Sequence, residues 1–167
     1  YECEHCVCGD PKLGVNYCPQ AKFASSSTNG FGREYVNYPV SNLIKIPSGI
    51  DLNTAVFTEL MSVSVAIYRR LNLKGDETVA IWGDGILGYI LSVVLKYLHR
   101  EGRIIAIGKH KEKLDEFPTD NYYLIEDTNI EKENIQIAYE CVGGQSSGIA
   151  INEAIDSIVV GGKIVLT

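Results

Sequence analysis

The stretch Thr78-Val79-Ala80-Ile81-Trp82-Gly83-Asp84-Gly85-Ile86-Leu87-Gly88 constrains this chain more than any other. Strand-forming residues run into a glycine turn, and a long apolar run, Ile86 to Leu98, leaves it. That order reads as a buried strand, a tight bend and the opening of a helix. Gly83, Gly85 and Gly88 stand at the spacing G-x-G-x-x-G. In a site of this design the first glycine permits the sharp turn and the second lets bare main chain approach a pyrophosphate. The third lets the helix lie close on the sheet. The first helical turn offers unpaired N–H groups, and the positive end of its dipole, to the phosphates. Glycines cluster in many turns, but here the strand before and the helix after supply the context. The stretch predicts a dinucleotide site with Gly83, Asp84, Gly85, Ile86, Leu87 and Gly88 around the phosphates. The alternative is a purely structural strand-to-helix turn.

The rest of the second half repeats the theme. Arg103 to Ile107 reads as a second strand, and a gap of about twenty residues from the glycine turn is what a strand–helix–strand unit needs. The helix between is apolar nearly all round, which predicts a cover on its outer side, another domain or another subunit. The tip of the second strand decides which dinucleotide fits. An acid there would accept hydrogen bonds from the adenosine ribose and repel a 2′-phosphate. This chain has Gly108, Lys109, His110 and Lys111 instead. Lys109, with His110 or Lys111, would pair a 2′-phosphate, so the expectation is NADP rather than NAD. The competing account, ordinary solvated bases at a helix start over Lys111 to Phe117, does not explain the missing acid. Tyr122 to Ile125 is a short third strand, Glu126 to Asn134 an acidic exposed segment, and Ile135 to Glu140 a fourth strand. It ends in Cys141-Val142-Gly143-Gly144, and a small-residue turn at a strand's C-terminal end is where doubly wound sheets bind cofactors. Cys141, Val142 and Gly143 therefore join the cofactor candidates, with Cys141 a packed thiol and no nucleophile. Ser146 or Ser147 opens a helix to Val160, Gly161-Gly162 breaks it, and Lys163 to Thr167 is a fifth strand. The fold class is α/β, a doubly wound parallel (Rossmann) sheet with right-handed crossovers.

The first sixty residues are of another kind, and the reading divides the chain at 1–60 and 61–167. Cys3, Cys6, Cys8 and Cys18 crowd the first 18 residues, with His5 among them. Thiolates on a short irregular loop suit a structural zinc, free thiols being the alternative; His5 reads as an exposed loop residue. Ala24 to Gly32 is a surface loop. Glu34 to Val40 and Asn42 to Ile46 read as short strands of an antiparallel sheet. Asp51 to Leu71 reads as one helix, capped by Asp51 or Asn53, with Leu60, Val63, Ile67 and Leu71 on one face. Within it Glu59 lies in an apolar segment, where sequence logic alone favours a solvent-facing acid. The net charge of −6 argues against nucleic-acid binding. No run is long enough to span a membrane, and clustered cysteines without a secretory leader point to a reduced, cytoplasmic protein. Both ends read as cut, so the expectation is a piece of a longer enzyme.

These residues resemble the zinc-dependent medium-chain alcohol dehydrogenases over essentially the whole chain. Asn16-Tyr17-Cys18-Pro19 looks like the end of that family's structural-zinc lobe, although Cys6-x-Cys8 is one residue short and Cys8 to Cys18 longer than the usual spacing. Gly30-Phe31, Glu34-Tyr35-Val36, Ile46-Pro47 and Glu59-Leu60 look like the run into the cofactor domain. Glu140-Cys141-Val142-Gly143-Gly144 and Gly161-Gly162-Lys163-Ile164-Val165 match its fourth and fifth strands. The resemblance implies a partial GroES-like catalytic domain ahead of the cofactor domain. It also implies Glu59 as a ligand of a catalytic zinc, with the other ligands upstream of Tyr1. Trp82-Gly83-Asp84-Gly85 with Gly108-Lys109-His110 most resembles the branch that reduces ribulose 5-phosphate, a phosphorylated keto-sugar, to ribitol 5-phosphate with NADPH. The implied partners are a small-molecule substrate and further copies of the same chain. The alternatives are an NAD-dependent polyol dehydrogenase and, for this piece alone, a nucleotide-binding module without activity.

Overall fold

The computed structural model describes residues 18–127 and 129–167, so Cys3, Cys6 and Cys8 lie outside the described residues. The chain divides into two compact units between Pro47 and Ser48. In the first, the described residues form an isolated bridge between Ala24 and Thr28 and a 3₁₀ turn over Val40–Asn42, and no strand. The antiparallel strands expected over Glu34 to Val40 and Asn42 to Ile46 are not formed there. Extended backbone becomes a strand only when a neighbour completes the ladder, and no described residue does so. Tyr35, Val40 and Ile44 are instead 87%, 83% and 93% exposed.

The second unit opens with two helices, α1 (Leu52–Ala55) and α2 (Thr58–Arg70), where one was expected. Asp51 caps the first, accepting from the N–H groups of Asn53 at 2.9 Å and Thr54 at 3.1 Å. The break has a local cause. The Thr58 hydroxyl donates to the Ala55 carbonyl at 2.7 Å, taking the acceptor a continuous helix would give to the Glu59 N–H.

Five parallel strands follow: β1 (Thr78–Trp82), β2 (Arg103–Gly108), β3 (Asn121–Leu124), β4 (Ile135–Glu140) and β5 (Ile158–Leu166). Their order in the sheet is β3-β2-β1-β4-β5. Helix α3 (Ile86–Leu98) joins β1 to β2, the short α4 (Lys111–Leu114) joins β2 to β3, and α5 (Ser147–Ser157) joins β4 to β5. The central strand β1 pairs with β2 from Thr78↔Arg103 to Trp82↔Ile107, and with β4 from Val79↔Ile137 to Trp82↔Glu140. Both faces of β1 are covered, which is why its sequence is a continuous apolar run rather than an alternation. Ala80 and Trp82 pack with Ile105, Ile107 and Ala138 beneath Ala150 and Ala154 of α5. Val79 and Ile81 pack on the other face with Ile104, Ile137, Tyr139 and Leu91 and Leu95 of α3.

The cover expected over α3 comes from the chain's own α2, whose Ile67 and Tyr68 join that second cluster together with Leu71. Helix α5 ends at Ser157 rather than Val160, and β5 begins at Ile158 rather than Lys163. Gly161-Gly162 lies inside the strand: Gly161 has φ +82°, and the pairing of β4 with β5 shifts register between Ile135 and Ile137. The β-branched run Ile158-Val159-Val160 leaves the helix early, and the glycines absorb the irregularity. Among the described residues no helix is long and apolar enough to cross a membrane.

Candidate cofactor site

The glycine turn sits at the C-terminal ends of the parallel strands, between β2 and β4. The Gly83 N–H donates to the Ile107 carbonyl at 2.8 Å, and the Cys141 N–H donates to the Trp82 carbonyl at 2.8 Å. Gly83 has φ +124°, and a Cβ there would lie 2.7 Å from the Cys141 carbonyl oxygen. Any larger residue would be both strained and in collision. Gly88 is the close helix–strand contact: a Cβ would lie 2.2 Å from the Gly83 carbonyl oxygen. Gly85 is the opposite case, with nothing within 4 Å of its missing side chain. It leads directly into α3, whose first backbone donors, Ile86, Leu87 and Gly88, have no intrahelical acceptor. Ile86, at the mouth of the turn, is 54% exposed. An open approach at Gly85 beside unpaired helical N–H groups fits a pyrophosphate, and these residues would hold one.

Two carboxylates brace the site, and neither bracing role was expected from the sequence. Asp84 Oδ2 accepts from the Lys109 N–H at 2.8 Å, the His110 N–H at 2.7 Å and His110 Nδ1 at 2.9 Å. The acid missing from the tip of β2 is thus supplied in space by the turn. A Cβ on Gly108 would lie 2.7 Å from the Asp84 Cβ and 2.9 Å from its Oδ2. Burial raises the Asp84 pKa, but the hydrogen bonds from His110 and Lys109 outweigh it and hold the carboxyl below its ordinary value. Glu140, 4% exposed, accepts from the Val142 and Gly143 N–H groups, both at 2.8 Å on Oε1. It holds the Cys141–Gly143 turn against Gly83. The sequence signal for Glu140 was an acid closing a buried strand before a small-residue turn.

The cation cluster is thinner than its sequence suggests. Lys111 Nζ is bound to both oxygens of Asp115 at 2.9 Å and stands 5.5 Å from the centre of the Tyr122 ring. Its charge is committed within its own segment, which leaves Lys109 and His110, both exposed. Burial pushes the Cys141 thiol up to about 12, further than the contact with Thr167 lowers it, which disfavours the thiolate. Glu59 lies exposed in the first turn of α2. Among the described residues no three His, Cys, Asp or Glu side chains group to hold a metal. The described residues alone therefore do not fit a catalytic zinc. A separate cleft of about 510 Å³ in the first unit is lined by Lys22, Asn29, Arg33, Asn37 and Asn42 among others, and it brings none of these candidates together.

The bracing makes an acid limb predictable. Asp120, bound by Lys96 Nζ at 2.6 Å and the Ile104 N–H at 2.8 Å, is also held below the usual range: burial raises its pKa, but Lys96 and the Ile104 N–H outweigh it. For both acids the unfolded chain, at the ordinary value of 3.8, takes up protons more readily than the folded one. Their stabilisation is complete above that value and is lost as pH falls through the lower folded values. Thermal midpoints should be flat above about pH 5 and fall steeply below about pH 4, and Asp84→Asn should shallow that limb. An unchanged limb in Asp84→Asn would remove the carboxylate from the account.

No protein-family model matches the chain. It is 37% identical over 161 residues to ribulose-5-phosphate reductase 1 of Staphylococcus aureus strain NCTC 8325, covering 94% of this chain and 47% of the relative. It is 38% identical to S. aureus TarJ in a crystal structure with NADPH, with a TM-score of 0.70 over 74% of this chain and 40% of that one. An alcohol dehydrogenase of Escherichia coli CFT073, solved with NADH, superposes over 99% of this chain and 50% of its own at a TM-score of 0.82. At 21% identity that likeness shows the fold alone. The chain spans about half the length of the curated relatives it matches.

Proposed function

Since the chain belongs to the medium-chain alcohol dehydrogenase family, we propose that it is the cofactor-binding portion of an NADPH-dependent oxidoreductase that reduces ribulose 5-phosphate to ribitol 5-phosphate in the cytoplasm. One observation carries the reading: an open glycine turn braced between β2 and β4, in a chain that is 37% identical, over 94% of its own length, to 47% of a ribulose-5-phosphate reductase.

When bound, NADPH would supply the hydride for the sugar's carbonyl carbon, with the proton of the new hydroxyl drawn from solvent. The residues' tasks are binding and orientation. The Gly85 main chain and the N–H groups opening α3 hold the pyrophosphate. Gly83 and Gly88 fix the distance between helix and sheet. Lys109 and His110 meet the 2′-phosphate at the tip of β2. Val142 and Gly143, held by Glu140, form the wall beside the turn. Glu59 remains the candidate zinc ligand, acting only with ligands supplied from beyond the described residues.

The decisive assay uses the full-length protein with ribulose 5-phosphate and with NADPH and NADH in parallel. Oxidation of NADPH with kcat/KM at least about tenfold above that with NADH is expected, the difference one good charge-assisted contact provides. Faster turnover with NADH would favour the polyol dehydrogenase reading, and binding without turnover of any keto-sugar would favour a nucleotide-binding module. Gly108→Asp, the obvious probe of cofactor choice, is not a clean one, because its Cβ would collide with Asp84.

A further inference from the structure

Asp84 occupies the middle of the glycine turn, yet all its hydrogen bonds go to another element. The three donors on its Oδ2 all belong to the Lys109–His110 segment, the cationic segment at the tip of β2. The same side chain fills the space beside Gly108 that any other residue's Cβ would need. The glycine at the strand tip and the acid in the turn are therefore one feature: Asp84 fills the space beside Gly108 and binds the main chain of Lys109 and His110 and the His110 ring.

We propose that Asp84 is the positioning residue for selection between 2′-phosphorylated and unphosphorylated dinucleotides, locking Lys109 and His110 onto the glycine turn rather than meeting the ribose itself. The inference rests on the assignment of this turn as the dinucleotide site. Three observations support it over a ribose-binding role. First, all three donors, within 2.9 Å, come from the Lys109–His110 segment and converge on Oδ2, so that segment sets how the carboxylate is aimed. Second, those N–H dipoles compensate the charge, so its repulsion of a 2′-phosphate is smaller than that of a free acid at the strand tip. Third, with the acid ionised, His110 Nδ1 must carry the proton in its bond to Asp84, which fixes the ring and leaves Nε2 as its other polar atom. A Lys109 or His110 side chain on an unanchored main chain would lose rotational freedom on meeting the phosphate. Here the main chain of both residues and the His110 ring are ordered before binding.

The test measures equilibrium binding of NADPH, NADH, 2′,5′-ADP and 5′-AMP to full-length wild type, Asp84→Ala and Asp84→Asn, with thermal midpoints alongside. Wild type is expected to bind NADPH and 2′,5′-ADP more tightly than their unphosphorylated counterparts. Asp84→Ala should weaken the two 2′-phosphorylated ligands about tenfold and the other two by less than about threefold. Asp84→Asn, which keeps one acceptor oxygen, should recover part of the loss. Equal weakening of all four ligands would reduce Asp84 to a scaffold residue and overturn the inference. Tighter NADPH binding in Asp84→Ala would show the carboxylate competing with the phosphate, which also overturns it. Either result in a wild type that prefers NADPH leaves the cofactor assignment standing. A wild type that binds neither dinucleotide, or prefers NADH, overturns both.

Discussion

Gly88→Ala should destabilise the second unit by about 3 kcal/mol, the upper range for an overpacked contact, and weaken NADPH at least about tenfold. The added methyl would stand 2.2 Å from the Gly83 carbonyl oxygen and 3.4 Å from an Ile81 side-chain carbon. Neither neighbour is a flexible chain end. The carbonyl belongs to a turn whose N–H is tied to Ile107 at 2.8 Å, so the helix must back away from β1 or the turn must open. Backing away uncovers Leu91 and Leu95, both fully buried, and opening the turn moves the donors at the start of α3. Both routes cost stability and affinity together. Chemical denaturation and a nucleotide titration on one preparation check this; a variant that keeps its midpoint within about 0.5 kcal/mol would show that the helix does not depend on the contact.

Glu140→Ala carries the second large effect, a loss of about 2–4 kcal/mol with nucleotide affinity falling in parallel. The carboxylate is 4% exposed and closes two main-chain N–H groups of the turn that follows β4. Truncation leaves both donors short of an acceptor and opens a void at the strand end. Because a Cβ on Gly83 would meet the Cys141 carbonyl at 2.7 Å, the Cys141–Gly143 turn cannot relax without shifting the glycine turn beside it. Glu140→Gln keeps an acceptor oxygen and the volume, and should recover at least half of the loss. Equal effects of the two substitutions would mean that packing volume, not the hydrogen bonds, holds the turn.

Much of this architecture is legible in the residues. β1, α3 and β4 have the bounds their patterns predict, because each is a mostly apolar run whose end is marked by a glycine, a small-residue turn or a polar segment. The parallel order follows from strands alternating with helices. Boundaries set by a single side chain are not legible in the same way. The split of α1 from α2 depends on the carbonyl that the Thr58 hydroxyl captures, and the early end of α5 on where the β-branched run from Ile158 joins the sheet. The site divides along the same line. Glycine spacing gives the position of the turn, since it reports local backbone need. The grip of Asp84 on Lys109 and His110 spans 25 and 26 residues, and no local pattern announces it. Periodicity likewise could not distinguish Lys111, neutralised by Asp115 one helical turn away, from Lys109.

The bracing of Gly83 ties occupancy of the turn to the persistence of the whole sheet. Its supports come from Ile107 on one side and Cys141 on the other, at the ends of strands that flank β1. The bend therefore exists only when three separately encoded segments have docked, and a partly assembled sheet has nothing to offer a guest. With a nucleotide held there as proposed, its cellular concentration would enter directly into how long the unit survives, because every occupied molecule is withdrawn from the pool able to unravel.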